Sequence, residues 1–208
     1  MKAKAYTMIA LIPAVLLMAG CLGEGTYSQR IDGYKVELED SAKRDTYLNV
    51  PEGGPYSQLG VTFRLPKSMA AAQPFLQIAP GAFDLAQFYN DSQNSGVRMA
   101  VLTRLKNPPP PPEGQPPIQR DGTAFPLLVG SLVGQAAPSL ENAAQTGVPY
   151  KRFVLNAEDN NPNELIQAYL YERGNHEVAV VAIVPKASAN SPLVRTEIPL
   201  SLGSLQTK

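Results

Sequence analysis

Alternating apolar and polar residues predict most of the strands in this chain. A period of two is typical of a strand with one buried face. It occurs in residues 34–38 (Tyr34, Val36 and Leu38), 61–65 and 97–105, and residues 150–155 make a further strand segment. Pro66 ends the second of these segments. We therefore expect strands in all four places.

A hairpin is predicted late in the chain. Residues 165–172 and 177–184 are two strand-like segments joined around Gly174 and Asn175, a pair that supplies the positive φ angles of a tight turn. Residues 178–184 are apolar on both faces, and Pro185 follows them. This segment should be a central strand that is covered on both sides.

Short helical patterns separate the strands. One helix is predicted from Phe83, Leu85, Phe88 and Tyr89, a second over residues 127–133, and a third over residues 140–145 with Ser139 as its cap and Gly147 at its end. Residues 198–205 fit either a last strand or a short helix. Because strands outnumber helices, we expect an α+β fold in which an antiparallel sheet carries a few short helices in a single domain.

Two glycines lie in the second predicted helix. Gly130 and Gly134 have the spacing of a membrane-helix dimer motif. The apolar stretch around them is far too short to span a bilayer, which needs about 20 residues. We therefore interpret the segment as a core helix with a close backbone contact.

The whole pattern resembles one known fold family. It comprises the sequence Val61-Thr-Phe-Arg-Leu-Pro-Lys67, the helix-bearing middle, the late hairpin and the closing Ser201-Leu-Gly-Ser-Leu205. Together these are similar to the small α/β sandwich of Mog1/PsbP-like proteins. The long proline-rich loop departs from that pattern. The resemblance implies a fold and no catalytic residues.

The first 20 residues have the layout of an export signal. Lys2 and Lys4 precede an apolar run over residues 8–19 that only Pro13 interrupts. The run is too short to cross a bilayer. We expect it to be cleaved.

The only cysteine, Cys21, follows this run directly. Leu17-Met18-Ala19-Gly20-Cys21 resembles the lipobox of bacterial lipoproteins, although Met18 stands where that family favours Leu. The resemblance implies that Cys21 receives a diacylglyceryl group after which residues 1–20 are removed. The alternative is a structural or spare cysteine behind an ordinary signal.

Lipidation at Cys21 implies a domain order and a location. Residues 21–32 become a lipidated tether, and residues 33–208 a single α+β domain with a proline-rich loop at 107–118. The protein is expected at the cell membrane on its extracytoplasmic side, with membrane lipid as a partner through Cys21. Leu22, rather than Asp, after the cysteine implies the periplasmic face of the outer membrane if the bacterium has two membranes.

Composition excludes some classes of partner and stabilising bond. Without Lys2 and Lys4, 16 basic residues stand against 18 acidic ones, a net charge of about −2. Nothing in that balance favours nucleic acid. A single cysteine allows no disulfide within the chain, so core burial alone must stabilise the domain.

The sequence lacks the residues that common catalytic motifs require. The only histidine, His176, lies in the hairpin turn, and no free thiol remains after lipidation. Ser-His, Cys-His and zinc sites need such a histidine or thiol. We therefore predict no catalytic, cofactor-binding or metal-binding residues. A carboxylate pair stays open, with Glu158, Asp159 and Glu164 as the densest group, although a solvated turn is the ordinary interpretation of that loop.

Two further features have both a functional and a structural interpretation. Tyr169 and Tyr171 share one strand face, where they either form an aromatic platform for sugar or peptide or, as favoured, pack under a helix. The prolines at 108–112, 116 and 117 predict an extended segment, either a ligand for an aromatic groove or, as favoured, a stiff surface loop.

These inferences give two classes of function. The first is a lipid-anchored, non-catalytic binding or assembly module of the cell envelope with an envelope protein as partner. The alternative is a cell-surface hydrolase that uses carboxylates.

Overall fold

A computed structural model describes residues 27–49, 55–110, 113, 122–143, 146–156 and 163–208. The chain divides into two compact units, residues 1–42 and 43–208. None of the described helices combines the length and the hydropathy that a membrane span requires. Cys21 and the predicted signal lie outside the described residues, so lipidation stays a prediction.

A seven-stranded antiparallel sheet forms the centre of the second unit. Its strands are β2 (Met69–Ala71), β3 (Leu85–Asp91), β4 (Arg98–Leu105), β5 (Glu141–Asn142), β6 (Lys151–Asn156), β7 (Glu164–Arg173) and β8 (His176–Pro185), in the spatial order β2-β3-β4-β8-β7-β6-β5. A separate two-stranded sheet pairs β1 (Val61–Thr62) with β9 (Gln206–Thr207) near the chain end.

Six helical segments accompany these strands in the described part of the chain. They are α1 (Tyr27–Tyr47), α2 (Pro55–Gln58), α3 (Phe125–Leu132), a 3₁₀ turn (Lys186–Ser188), a π-helical turn (Leu193–Glu197) and α4 (Ile198–Leu202). The predicted α+β class, an antiparallel sheet with a few short helices, is confirmed.

Both faces of the sheet are buried, and each carries its own apolar cluster. On one face Val180 packs in a cluster that includes Ile198 and Leu202 of α4. On the other face Val181 packs in a cluster that includes Phe125 and Val129 of α3. The central, covered strand predicted over residues 178–184 is confirmed as β8, whose side chains alternate between the two clusters.

The predicted hairpin is confirmed as β7 and β8. Arg173 pairs with His176, which leaves the two-residue loop Gly174-Asn175. Gly174 has φ of +57°, whereas Asn175 is not in the positive region. Only the first loop residue therefore takes the glycine-type conformation, as in a type II′ turn, and the prediction of two positive φ angles is wrong.

The strand predicted at Tyr34, Val36 and Leu38 is wrong, because these residues lie in α1. The last turn of this helix is held by two basic side chains. Arg64 Nη2 donates to the Arg44 carbonyl, and Lys67 Nζ donates to those of Asp45 and Thr46 at 2.9 and 2.8 Å. Cations at a helix C-terminus satisfy carbonyls that have no partner within the helix.

The helix predicted from Phe83, Leu85, Phe88 and Tyr89 is also wrong. Most of this segment is β3. Phe88 packs in the cluster under α3, while Tyr89 packs in the opposite cluster. A strand buried on both faces is apolar at adjacent positions, which produced the helix-like spacing.

The remaining helix predictions have mixed outcomes. Residues 127–133 lie largely in α3, and a Cβ on Gly130 would lie 2.5 Å from the Gln135 carbonyl oxygen, so the close backbone contact is confirmed. Residues 198–205 begin as α4, one of the two forms predicted. The helix over residues 140–145 is wrong where it is described, because β5 pairs there with β6.

The three other predicted strands are found with different lengths. Residues 98–105 form β4 and residues 151–156 form β6, as expected. Of residues 61–65 only β1 pairs in a sheet. The backbone N–H of Arg64 instead donates a hydrogen bond to Ser204 Oγ, so this segment does not continue a regular ladder of backbone hydrogen bonds.

Candidate functional site

A cleft of about 460 Å³ lies where β4, β7 and β8 meet the start of α3. Four charged side chains line it, together with the ring of Phe125 and the backbone at Thr123. The charged residues are Arg104, Lys106, Glu172 and Glu177. Volumes of about 300–1,000 Å³ are typical of ligand sites.

Strand register brings these charges together on one face. Arg104 is opposite Glu177, and Glu177 is opposite Glu172. Two residues earlier in β4 and β7, on the same face, Leu102 and Leu170 pack in the cluster under α3. The face therefore changes from apolar to charged at the start of that helix.

The inner ion pair of the cleft is almost completely buried. Arg104 Nε donates to Glu177 Oε2 at 2.5 Å, with side-chain exposures of 9% and 7%. The Arg104 guanidinium lies 5.5 Å from the centroid of the Phe125 ring. Its Nη2 is also 3.5 Å from the Thr123 carbonyl oxygen. These contacts hold the inner pair in one arrangement.

The outer ion pair of the cleft is half exposed. Lys106 Nζ lies 3.4 Å from Glu172 Oε2, and each side chain is 41% exposed. Such a pair contributes about 0–1 kcal/mol, because water competes for both charges. Lys106 and Glu172 can therefore separate and pair with the charges of a ligand at a small cost in free energy.

The cleft also holds two carboxylates close together. Directly opposed residues on antiparallel strands have Cβ atoms about 4.5–5.5 Å apart, and Glu172 and Glu177 are such a pair. Each carboxylate already has a cation as partner. The arrangement suits binding of charged groups better than acid catalysis, which needs a protonated carboxyl group.

Of the carboxylates predicted from sequence, Glu164 is outside this cleft. It accepts a hydrogen bond from Arg98 at 2.8 Å. Glu164 and Glu172 are at opposite ends of β7, about 26 Å apart along the strand. Glu158 and Asp159 lie outside the described residues.

Tyr169 and Tyr171 are core residues. Both are buried in the cluster that contains Leu202. The Tyr169 hydroxyl donates to Gln167 Oε1 at 2.8 Å, and the Tyr171 hydroxyl lies 3.1 Å from Thr207 Oγ1. The packing interpretation is confirmed, and an exposed aromatic platform is not what the structure shows.

His176 has a structural contact. Its Nε2 lies 2.9 Å from the Leu59 carbonyl oxygen, which only accepts, so Nε2 carries the hydrogen. The bond ties the hairpin to the segment that follows α2. Among the described residues, no group of three His, Cys, Asp or Glu side chains could hold a metal ion.

A smaller cleft of about 150 Å³ lies beside Arg152 and Tyr169. Arg152 Nε donates to Glu141 Oε1 at 2.8 Å. Burial raises the pKa of the Tyr169 hydroxyl, and a hydrogen bond with Arg152 partly offsets that rise. This volume is below the usual range for ligand sites, so the larger cleft is the candidate.

By sequence, the chain matches no protein-family model and no curated protein. Its fold resembles solved structures at low identity. The Saccharomyces cerevisiae Ran-binding protein Mog1p is 13% identical, with a TM-score of 0.45 over 77% of this chain and 96% of that one. Cyanobacterial PsbP from Synechocystis is 14% identical, with a TM-score of 0.44 over 78% and 93%.

A third similar structure is a protein from Bacteroides thetaiotaomicron. It is 10% identical, with a TM-score of 0.42 over 78% of this chain and 48% of that one. The Mog1/PsbP-like pattern noted in the sequence thus corresponds to a weak resemblance of fold. Nothing about ligands or activity follows from it for this chain.

Proposed function

We propose that this protein is a lipid-anchored, extracytoplasmic module of the bacterial cell envelope that binds an envelope protein and catalyses no reaction. The lipobox pattern that ends at Cys21 supports the anchor. The charged cleft supports the binding role. The two are independent, because one rests on the N-terminal sequence and the other on the folded domain.

The observation that carries the binding role is the contrast between the two ion pairs of the cleft. The inner pair, Arg104 and Glu177, is buried and fixed by Phe125 and Thr123. The outer pair, Lys106 and Glu172, is half exposed. A partner that presents one acidic and one basic group can replace the outer pair without disturbing the inner one. Charge complementarity of this kind confers specificity.

Photocrosslinking in living cells tests this role. A photoreactive amino acid would replace Pro126, which borders the cleft, or Leu140, an exposed residue that does not line it. We expect one discrete adduct with an envelope protein from position 126 and none from position 140. The same adducts from both positions, or no adduct from either, would contradict binding at the cleft.

The hydrolase alternative has one observation in its favour, the direct opposition of Glu172 and Glu177. It requires that one of the two carboxyl groups donate a proton. A screen of the purified protein against cell-wall glycans tests it, with Glu172→Gln as the variant. If the wild type hydrolyses a glycan and Glu172→Gln does not, the protein is a hydrolase and the proposed binding role is wrong. We expect no turnover by either protein.

A further inference from the structure

Among the described residues, the inner ion pair of the cleft leaves two polar atoms without a hydrogen-bond partner. Arg104 Nε donates to Glu177 Oε2, and Arg104 Nη2 lies 3.5 Å from the Thr123 carbonyl oxygen. The atoms that remain are Arg104 Nη1 and Glu177 Oε1. Neither is fully enclosed by protein, and both residues line the cleft although their side chains are more than nine-tenths buried. These two atoms can therefore bind a molecule that enters the cleft.

The outer ion pair places the same two charges beside the inner one. Lys106 directly follows β4, two residues after Arg104, and Glu172 on β7 is opposite Glu177 on β8. All four side chains line the cleft. The two cations therefore lie on the β4 side of the cleft, and the two carboxylates lie on β8 and β7. Neighbouring strands are about 4.8 Å apart, so the cationic half and the anionic half of the cleft are adjacent.

The charges of the cleft favour a ligand that carries both signs. Two cations and two anions are the charged groups among the described residues that line it. A simple anion would face the carboxylates of Glu172 and Glu177, and a simple cation would face Arg104 and Lys106. An apolar ligand would remove water from four charges without replacing it. A small molecule with an ammonium and a carboxylate group close together compensates both halves.

We propose that the cleft binds a free α-amino acid. Such a molecule carries its ammonium and its carboxylate on one carbon, so the two charges lie side by side, as Lys106 Nζ and Glu172 Oε2 do at 3.4 Å. On binding, the outer pair separates. The carboxylate then accepts hydrogen bonds from Arg104 Nη1 and Lys106 Nζ, and the ammonium donates to Glu172 and to Glu177 Oε1. Hydrogen bonds between charged groups are the strong ones. This inference rests on the proposed use of the cleft, because both need the outer pair to open.

The start of α3 favours this orientation of the ligand. Ala124 precedes the helix and provides no side-chain cap, and the N–H groups of a first helical turn have no acceptor within the helix. A helix N-terminus stabilises a nearby carboxylate. The volume of about 460 Å³ leaves room for a side chain, and Ala124 and Pro126 present apolar surface to it. We therefore expect an amino acid with an apolar side chain, such as leucine.

Calorimetry with L-leucine tests the inference. The purified full-length protein would be titrated with L-leucine, with N-acetyl-L-leucine, which lacks the ammonium group, and with L-leucinamide, which lacks the carboxylate. We expect one molecule of L-leucine to bind per chain. Both derivatives should bind at least about tenfold more weakly, because each leaves one half of the cleft without compensation. Equal affinity for all three molecules, or no binding of L-leucine, would overturn the inference.

Substitutions locate the binding at the cleft. Lys106→Met and Glu172→Gln each remove one charge from a half-exposed side chain and should leave the fold intact, which thermal melting checks. Each should weaken the binding of L-leucine at least about tenfold. Arg195→Gln, the control, removes an exposed cation of the π-helical turn that does not line the cleft, so it should bind L-leucine as the wild type does. Wild-type affinity in the folded Lys106→Met and Glu172→Gln proteins would overturn the inference.

Crosslinking from position 126 separates this inference from the proposed function. If L-leucine binds as described but position 126 gives no adduct in cells, the envelope protein is wrong as a partner and the amino-acid site stands. If the adduct forms but L-leucine does not bind, only this inference is overturned. If both are found, excess L-leucine should lower the yield of the adduct in isolated membranes, because the two ligands share the cleft. An unchanged yield would show that the amino acid binds elsewhere and would overturn the inference.

Discussion

Arg104 and Glu177 lie opposite each other on β4 and β8 and form an ion pair in which both side chains are almost fully buried. Removal of one partner leaves a buried charge without compensation, which costs about 3–5 kcal/mol. Replacement of both by apolar residues of similar size is often neutral.

The first prediction follows from this pair. Arg104→Met and Glu177→Leu should each lower the free energy of unfolding by about 3–5 kcal/mol, while the double variant should lose much less. Urea unfolding of the four proteins measures the coupling between the two sites. If the losses in free energy of unfolding of the two single variants simply add in the double variant, the two charges do not depend on each other.

The second prediction concerns glycines in two helices. A Cβ on Gly130 would lie 2.5 Å from the Gln135 carbonyl oxygen, whereas one on Gly33 meets nothing within 4 Å. Gly130→Ala should therefore cost about 1–3 kcal/mol through overpacking. Gly33→Ala, the control, should not lower the melting temperature and should raise helix content by circular dichroism. Tolerance of both changes would contradict the packing around α3.

The third prediction concerns alkaline pH. Burial raises the pKa of Tyr56, as does its neighbour Tyr89, whose hydroxyl lies 2.5 Å away. Burial also raises the pKa of Tyr150. The unfolded chain loses these protons near pH 10 while the folded protein keeps them. Below about pH 10 these tyrosines should cause no change in the free energy of unfolding. Above about pH 10 the free energy of unfolding should fall by about 1.4 kcal/mol per pH unit for each tyrosine.

Two substitutions test the origin of that slope. Tyr56→Phe removes one of the titrating groups, so the fall above pH 10 should become less steep, at a cost of about 1 kcal/mol for the lost hydrogen bond. Val129→Ala removes part of a buried side chain that does not titrate, so it should lower the free energy of unfolding and leave the slope as it is. Urea unfolding at a series of pH values measures both. An unchanged slope in Tyr56→Phe would mean that this hydroxyl ionises in the folded state.

The fourth prediction concerns the anchor. Wild-type protein should incorporate a fatty-acid analogue in growing cells, and Cys21→Ala should not, because a lipobox lipoprotein carries its lipid on that thiol. In a bacterium with two membranes, Leu22→Asp should shift the protein from the outer to the inner membrane. Equal labelling of wild type and Cys21→Ala would refute the anchor.

Local patterns in the sequence predicted the β7 and β8 hairpin because the contacts between these two strands are local. The β7 and β8 hairpin closes over two residues, so the turn and the apolar run of β8 were visible in one short segment. Two errors share a cause, the overlap of strand and helix periods. Tyr34, Val36 and Leu38 alternate like a strand, although Ile31, Tyr34 and Leu38 have helical spacing and few neighbouring residues are β-branched.

The cleft could be predicted only in part. Glu172 and Glu177 are equally far from the hairpin turn, so the sequence alone places them opposite each other. That signal was missed in favour of the denser group near Glu158. The partners Arg104 and Lys106 are more than 65 residues away in the chain, and no local pattern shows that β4 lies beside β8.

The central claim is that the outer ion pair of the cleft binds a charged partner. The direct measurement is the yield of the adduct from position 126 in lipidated proteins that carry Lys106→Glu, Glu172→Lys or both. The double variant keeps an ion pair and should fold like the wild type, which thermal melting checks. We predict that the yield falls at least about tenfold in all three, which corresponds to 1.4 kcal/mol or more. A wild-type yield from the folded double variant would contradict the claim, because the partner would then not distinguish the charges of the cleft.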